Sequence, residues 1–170
     1  MKAFMQLLSE KDYAHITVQE IIDAADVGRT TFYAHFETKD ALLETFCEEL
    51  FSHAFAAHLS NEPTHDFSHQ KSLETRITHV LYHLADDMDA LRGIMSEGND
   101  SVFARIFKRY LADVFAESEL VEAEGVPQDY LINHAVCDFM EAVRWWARNP
   151  SYTPEDISRF FFITALPQAN

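Results

Sequence analysis

The chain has 170 residues, 48% of them hydrophobic, and carries 13 Lys+Arg against 28 Asp+Glu, a formal net charge of −15 at pH 7. That length fits one domain or a small head on a larger body, and the apolar share is ample for a buried core. No run is long and apolar enough for a membrane-spanning helix and no signal peptide is visible. Two cysteines far apart, Cys47 and Cys137, make no disulfide framework, so the expected compartment is the reducing cytoplasm.

The first helix is expected to begin almost at residue 1. Thr17 then stands as an N-cap with Glu20 three positions on, the spacing of a capping box. Val18, Ile21, Ile22 and Ala25 follow as a single apolar stripe, and the helix should stop near Ala25. Asp26-Val27-Gly28 reads as a tight turn, with Gly28 supplying backbone freedom. In the next helix Phe32 and Phe36, four apart, should face inward. Arg29, Thr30, Tyr33 and Ala34 fall mostly on the other side, and Thr38 caps a further helix opening at Lys39. An Arg, two Thr and a Tyr exceed what a bland solvated face requires. Two short helices around a turn, with polar groups left over on the second, have the geometry of a helix-turn-helix whose second helix enters the DNA major groove.

Residues Ile16-Thr17-Val18, Ile21-Ile22, Ala25, Val27, Thr31-Phe32-Tyr33-Ala34-His35-Phe36 and Lys39 to Leu42 closely match one known pattern. This segment resembles the DNA-binding domain of the tetracycline-repressor (TetR/AcrR) family of bacterial transcription regulators. The match covers roughly the first quarter of the chain; the rest is similar to the family by helical layout. The final helices resemble one branch of the family, with a Trp-rich helix (Ala142 to Trp146) and a short aromatic helix (Pro154 to Phe162). The resemblance implies an all-α protein with a helix-turn-helix domain over residues 1–46 and a regulatory and dimerisation domain over 47–170. It also implies a double-stranded palindromic operator as ligand. By position, Arg29, Thr30 and Thr31 would front the recognition helix, with Arg29 suited to guanine O6 and N7. Tyr33 and His35 resemble the family's phosphate-contacting pair and Lys39 its phosphate anchor. Thr17 can offer its hydroxyl and N–H to a phosphate. Many relatives have Ser where this chain has Gly28, so that side-chain contact is absent.

Charge argues in the other direction. From Met1 to Phe46 there are four bases (Lys2, Lys11, Arg29, Lys39) and eight acids, a net of −4. Phosphate neutralisation normally supplies much of DNA affinity, so weak non-specific binding and a shallow salt dependence are expected unless a basic arm precedes Met1. The rival function is an acidic dimer that binds a protein partner as a scaffold without touching DNA.

Beyond the head, the patterns predict helices from about Lys39 to His58, Ser72 to Arg92, Asp100 to Glu119, Gln128 to Arg148 and Pro154 to Leu166. A polar loop over 60–71 and a break over 93–99 separate them. Gly28, Gly93, Gly98 and Gly125 all fall between periodic segments. The last two helices carry more apolar surface than one body needs. Phe160, Phe161, Phe162 and Ile163 are apolar all round, so a homodimer through helices 128–148 and 154–166 is expected. A small-molecule effector would occupy a body cavity with Phe103, Phe107 and Tyr110 as the candidate lining, although core packing is the more natural role of each. Nine histidines raise a metal reading through His79/His83, His65/His69, His53 and His58, but no cysteine cluster supports it and no cofactor is expected. His79 and His83 read as a solvated polar edge beside the apolar stripe. No phosphate loop, nucleophile elbow or metalloprotease His pair is present, so catalysis is not expected.

Overall fold

The computed structural model describes residues 1–54, 72–86, 88–95, 100–118 and 124–165, apart from the side chains at 50, 53, 54, 100 and 101. The expected residues 55–71 and 96–99, with His58, His65 and His69, lie outside the described residues, as do the side chain of His53 and the predicted ends at Glu119 and Leu166. The described part is all-α. In chain order it contains α1 (Lys2–Glu10), a 3-10 turn (Tyr13–His15), α2 (Val18–Ala25), α3 (Arg29–His35), α4 (Lys39–Ala54), α5 (Leu73–Ala85), α6 (Met88–Ile94), α7 (Asp100–Ala116), α8 (Gln128–Arg148) and α9 (Pro154–Thr164).

The helices begin where the sequence offers caps. Thr17 accepts from the Glu20 N–H while the Glu20 carboxylate accepts from the Thr17 N–H, closing the expected capping box. Thr38 Oγ1 accepts from the Ala41 N–H at 3.1 Å at the start of α4. Thr153 and Asp156 form a second capping box at α9, with Pro154 in its first turn. The Glu20 carboxylate also pairs with Lys11, which ties the α1–α2 connection to the start of α2.

One contiguous set of buried side chains runs from Phe4 and Leu8 of α1, through Ile21, Ile22 and Phe32, to Trp146 and Phe161 at the far end. In the head, α1 packs on α2; α1 also lies along α6, joining the head to the body. In the body, α4 packs on α7, α7 on α8 and α5 on α9. Phe51 of α4 stacks on Phe107 of α7 with ring centroids 4.6 Å apart, and Phe107 meets Phe139 of α8 edge-on at 5.9 Å.

Three expectations need correction. The predicted helix over Ser72–Arg92 is two helices, α5 ending at Ala85 with Asp86 as its C-cap and α6 opening at Met88; aspartate is a weak helix former. Gly93 does not punctuate. It lies buried in the last turn of α6, where an added Cβ would sit 2.0 Å from the Leu8 carbonyl oxygen and 3.2 Å from that of Lys11. The absent side chain therefore lets α6 and α1 touch backbone to backbone. His79 is 2% exposed, and its Nε2 lies 2.9 Å from that of the half-buried His83, so the pair is not a solvated edge. The reason is that α5 is covered on several sides, by α4, α6 and α9, and buries even Thr75 and Thr78.

Two expected outcomes follow from this packing. Gly93→Ala forces backbone apart at the α1–α6 crossing and should destabilise the protein by about 1–3 kcal/mol, read from the shift of the denaturant midpoint. Glu20 is held at about 2, below its ordinary 4.5, by its bonds to Lys11 and then to Thr17. A carboxyl lowered by folding stabilises above its unfolded pKa, and the contribution fades as pH falls toward the folded one. The midpoint advantage of the parent chain over Glu20→Gln should therefore be full near pH 6 and reduced near pH 3, across the window these two values set. An advantage that grows on acidification would contradict it.

Candidate nucleic-acid interface

The turn before α3 is built differently from the sequence expectation. Asp26, not Gly28, takes the left-handed conformation, at φ 51 and ψ 48. Asp tolerates that region because its short side chain can bond locally. Gly28 is the extended N-cap of α3 at φ −73, and an added Cβ there would find only Thr31 Oγ1 at 3.7 Å. The position is open to other residues, and glycine leaves it without a capping oxygen.

In α3 the only buried residue is Phe32. Its ring lies 5.7 Å from Phe36, the half-buried C-cap, and 5.3 Å edge-on from Tyr33. With that ring turned inward, Arg29, Thr30, Thr31, Tyr33, Ala34 and His35 are all exposed. Tyr33 stands 48% exposed on the outer side. Thr17, at the exposed start of α2, has its hydroxyl within 2.8 Å of Glu20 Oε2. Six of the seven predicted residues are thus exposed, while Lys39 is half-buried.

Lys39 is the residue whose environment the sequence did not foreshadow. Its ammonium donates to the carbonyls of Tyr13 and Ile16, both at 2.9 Å, and more distantly to Ala14 at 3.4 Å. It also lies 4.4 Å above the Tyr13 ring. Burial pushes its pKa below the ordinary lysine value, with Asp40 acting in the opposite sense. Tyr13 in turn donates to Asp40, and burial followed by that carboxylate pushes its phenol strongly upward. Lys39 therefore ties the start of α4 to the segment that leads into Thr17.

Gln19 and Asp23 of α2 were missed by sequence reasoning. Arg29 Nη2 donates to Gln19 Oε1 at 3.0 Å, and Gln19 Nε2 donates to Asp23 Oδ1 at 2.8 Å. The four-residue spacing of Gln19 and Asp23 was a signal of their mutual contact. Their link to Arg29, ten residues from Gln19, was not visible locally.

Elsewhere, Phe103 and Phe107 are buried in the aromatic stack of the body and Tyr110 is half-buried, 5.4 Å from the Phe51 ring. A cavity of about 30 Å³ adjoins Phe103, His83 and Met5, room for about one water. Among the described residues, no three His, Cys, Asp or Glu gather to hold a metal, and no helix is long and apolar enough to cross a membrane. An open groove of about 210 Å³ lies between α8 and α9 beside Trp145, Phe160 and Asp138. Trp145 is 42% exposed there, Ile163 elsewhere on α9 is 60% exposed, and Trp145, Tyr152 and Phe160 form a three-ring cluster.

Residues 1–46 match the family described as bacterial regulatory proteins, tetR family. The chain is 41% identical over 66 residues, 36% of its length, to the uncharacterized HTH-type transcriptional regulator YxbF of Bacillus subtilis, and spans 17% of that relative. The crystal structure of a TetR transcriptional regulator from Streptococcus agalactiae is similar at 28% identity and a TM-score of 0.71, over 98% of this chain and 90% of that one. The dihydroxyacetone kinase operon activator DhaS shares the fold at 15% identity and a TM-score of 0.66, over 95% and 89% of the two chains. Residues 1–46 thus match the helix-turn-helix head of the tetR family, and over nearly its whole length the chain is similar in fold to a TetR transcriptional regulator.

Proposed function

We propose that the protein is a cytoplasmic homodimeric repressor that binds a palindromic operator and releases it in response to a small molecule. The head over 1–46 binds DNA and the body over 47–170 pairs the heads and senses the effector. The observation that carries the DNA-binding part is the outward display of Arg29, Thr30, Thr31, Tyr33 and His35 on a short helix whose one buried side chain is Phe32. Arg29 and the two threonines read base edges, while Tyr33, His35 and the Thr17 end of α2 meet phosphates. Lys39 adds charge beside that path while its N–H groups seat the backbone leading to Thr17.

Two copies would meet through α8 and α9, where Trp145 and Ile163 remain exposed in one protomer. A two-fold axis there would space the recognition helices for successive major grooves, about 34–36 Å apart or a related repeat. An effector would enter between α5 and α7, and its volume would have to come from opening the Phe51, Phe103 and Phe107 stack. Shifting α4 against the head then changes the spacing, a redistribution between two states. Catalysis has no place in this scheme.

The scaffold reading is favoured by one observation. Of the four bases in the head, Lys11 is paired with Glu20, Lys39 with carbonyls and Arg29 with Gln19. A palindromic operator selected from random duplexes separates the two functions. Arg29→Ala should weaken operator binding by roughly 10- to 100-fold, and the parent dimer should show a log–log salt slope no steeper than about −4, two phosphates neutralised per head. Binding indifferent to Arg29→Ala would favour a protein partner. For assembly, the full chain at low micromolar concentration should run as a dimer in light scattering. Ile163→Glu, at a site exposed in the protomer, should give a monomer with unchanged helix content, and a monomeric parent chain would overturn the two-headed scheme.

A further inference from the structure

Arg29 opens α3 on a long, exposed stem. Its guanidinium is nevertheless held from outside the helix, by the chain Asp23 to Gln19 to Arg29 that crosses from α2 to α3. We infer that Gln19 and Asp23 are positioning residues that aim Arg29 and bias the head toward guanine. This rests on the proposal that α3 meets the major groove.

The orientation of the relay follows from donor and acceptor chemistry. An ionised Asp23 can only accept, so the amide nitrogen of Gln19 must face it, at 2.8 Å. The amide oxygen is thereby turned toward Arg29, which supplies the donor at 3.0 Å. A glutamine alone could turn its amide either way; Asp23 removes that freedom. The bond to Gln19 takes one N–H of Arg29, and a guanidinium carries five. The planar fork is thus anchored at one corner with its remaining N–H groups available outward. Gln19 likewise has a second amide hydrogen beyond the one given to Asp23. The shared edge presents donors, which suits the two acceptors of guanine, O6 and N7, and opposes the N6 amine of adenine. An anchored fork also loses less freedom on binding than a loose one, and so discriminates more sharply.

Asp23 has a second consequence. It places a negative charge near the phosphate path, which lowers affinity for any duplex while it sharpens the choice among duplexes. Removing its charge but not its shape should move those two quantities in opposite directions, a signature that simple charge neutralisation or simple misfolding does not give.

The test uses the full chain, the selected palindromic duplex, and the same duplex with the guanine of each half-site replaced by adenine. Gln19→Ala should lower the guanine-over-adenine ratio by about tenfold, with an unchanged thermal melt. In an Arg29→Ala background the same change should leave the ratio unaltered. Asp23→Asn should bind unrelated duplex more tightly and yet discriminate less. If Arg29→Ala abolishes the ratio while Gln19→Ala leaves it intact, the positioning role is wrong and the α3 interface stands. If Asp23→Asn raises affinity and discrimination together, the relay is likewise wrong. If Arg29→Ala changes nothing, the interface itself lies elsewhere and the relay falls with it.

Discussion

One aromatic ring decides which way the recognition helix faces. α3 has seven residues, too few to hold a helix by backbone bonds alone. Its stability and its orientation both come from Phe32, the one side chain it buries, which joins Ile21 and Ile22 of α2 in the common core. Once that ring is inside, helical geometry places Arg29, Thr30, Tyr33 and His35 outside. The polar surface is thus a consequence of a hydrophobic anchor, and the flanking devices serve to keep the anchor seated. The capping box at Thr17 fixes the start of α2, the left-handed Asp26 fixes the turn into α3, and the Lys39 ammonium on the Tyr13 and Ile16 carbonyls fixes the segment that leads into α2.

The acidity of the head is easier to understand against that arrangement. Lys11, Arg29 and Lys39 each hold another part of the head in place, through Glu20, Gln19 and backbone carbonyls respectively. Cations used in this way contribute less to counterion release than cations on a free basic arm. A head built so trades general affinity for fixed geometry. In the proposed dimer a second head would recover affinity through the second half-site, because that contact would be made at high effective concentration. On that proposal the exposed Trp145 and Ile163 on α8 and α9 would matter to DNA binding even though they lie in the body.

Local features were legible in the sequence and tertiary ones were not. The Thr17–Glu20 box, the inward Phe32, the start of α9 at Thr153-Pro154 and the span of α8 from Gln128 to Arg148 all follow from caps and periodicity, and the structure has them. Gly93 looked like punctuation because a glycine at a helix end usually is. Its purpose depends on the Leu8 carbonyl, 85 residues away in sequence and invisible to any local pattern. His79 looked solvated because it sits off the stripe of α5, yet a helix covered by α4, α6 and α9 has little solvated face. In the site, the exposed residues of α3 were readable one by one. The hold that α2 and α4 keep on Arg29 and on the backbone before Thr17 was not, because it is made between elements.

Through Gly93, α6 touches the head; through Arg92, whose Nε donates to the Ala147 carbonyl at 3.0 Å, it touches the end of α8. The head is therefore positioned by the same short helix that meets the end of α8, part of the proposed dimer face. Everything in this scheme still requires that the outward face of α3 lie in a major groove. Methylation interference on a selected operator tests that most directly. Methyl groups at guanine N7, in the major groove, should block binding at one or more guanines in each half-site, while methyl groups at adenine N3, in the minor groove, should not. Binding that tolerates every N7 methyl group, or that is blocked only from the minor groove, would contradict it.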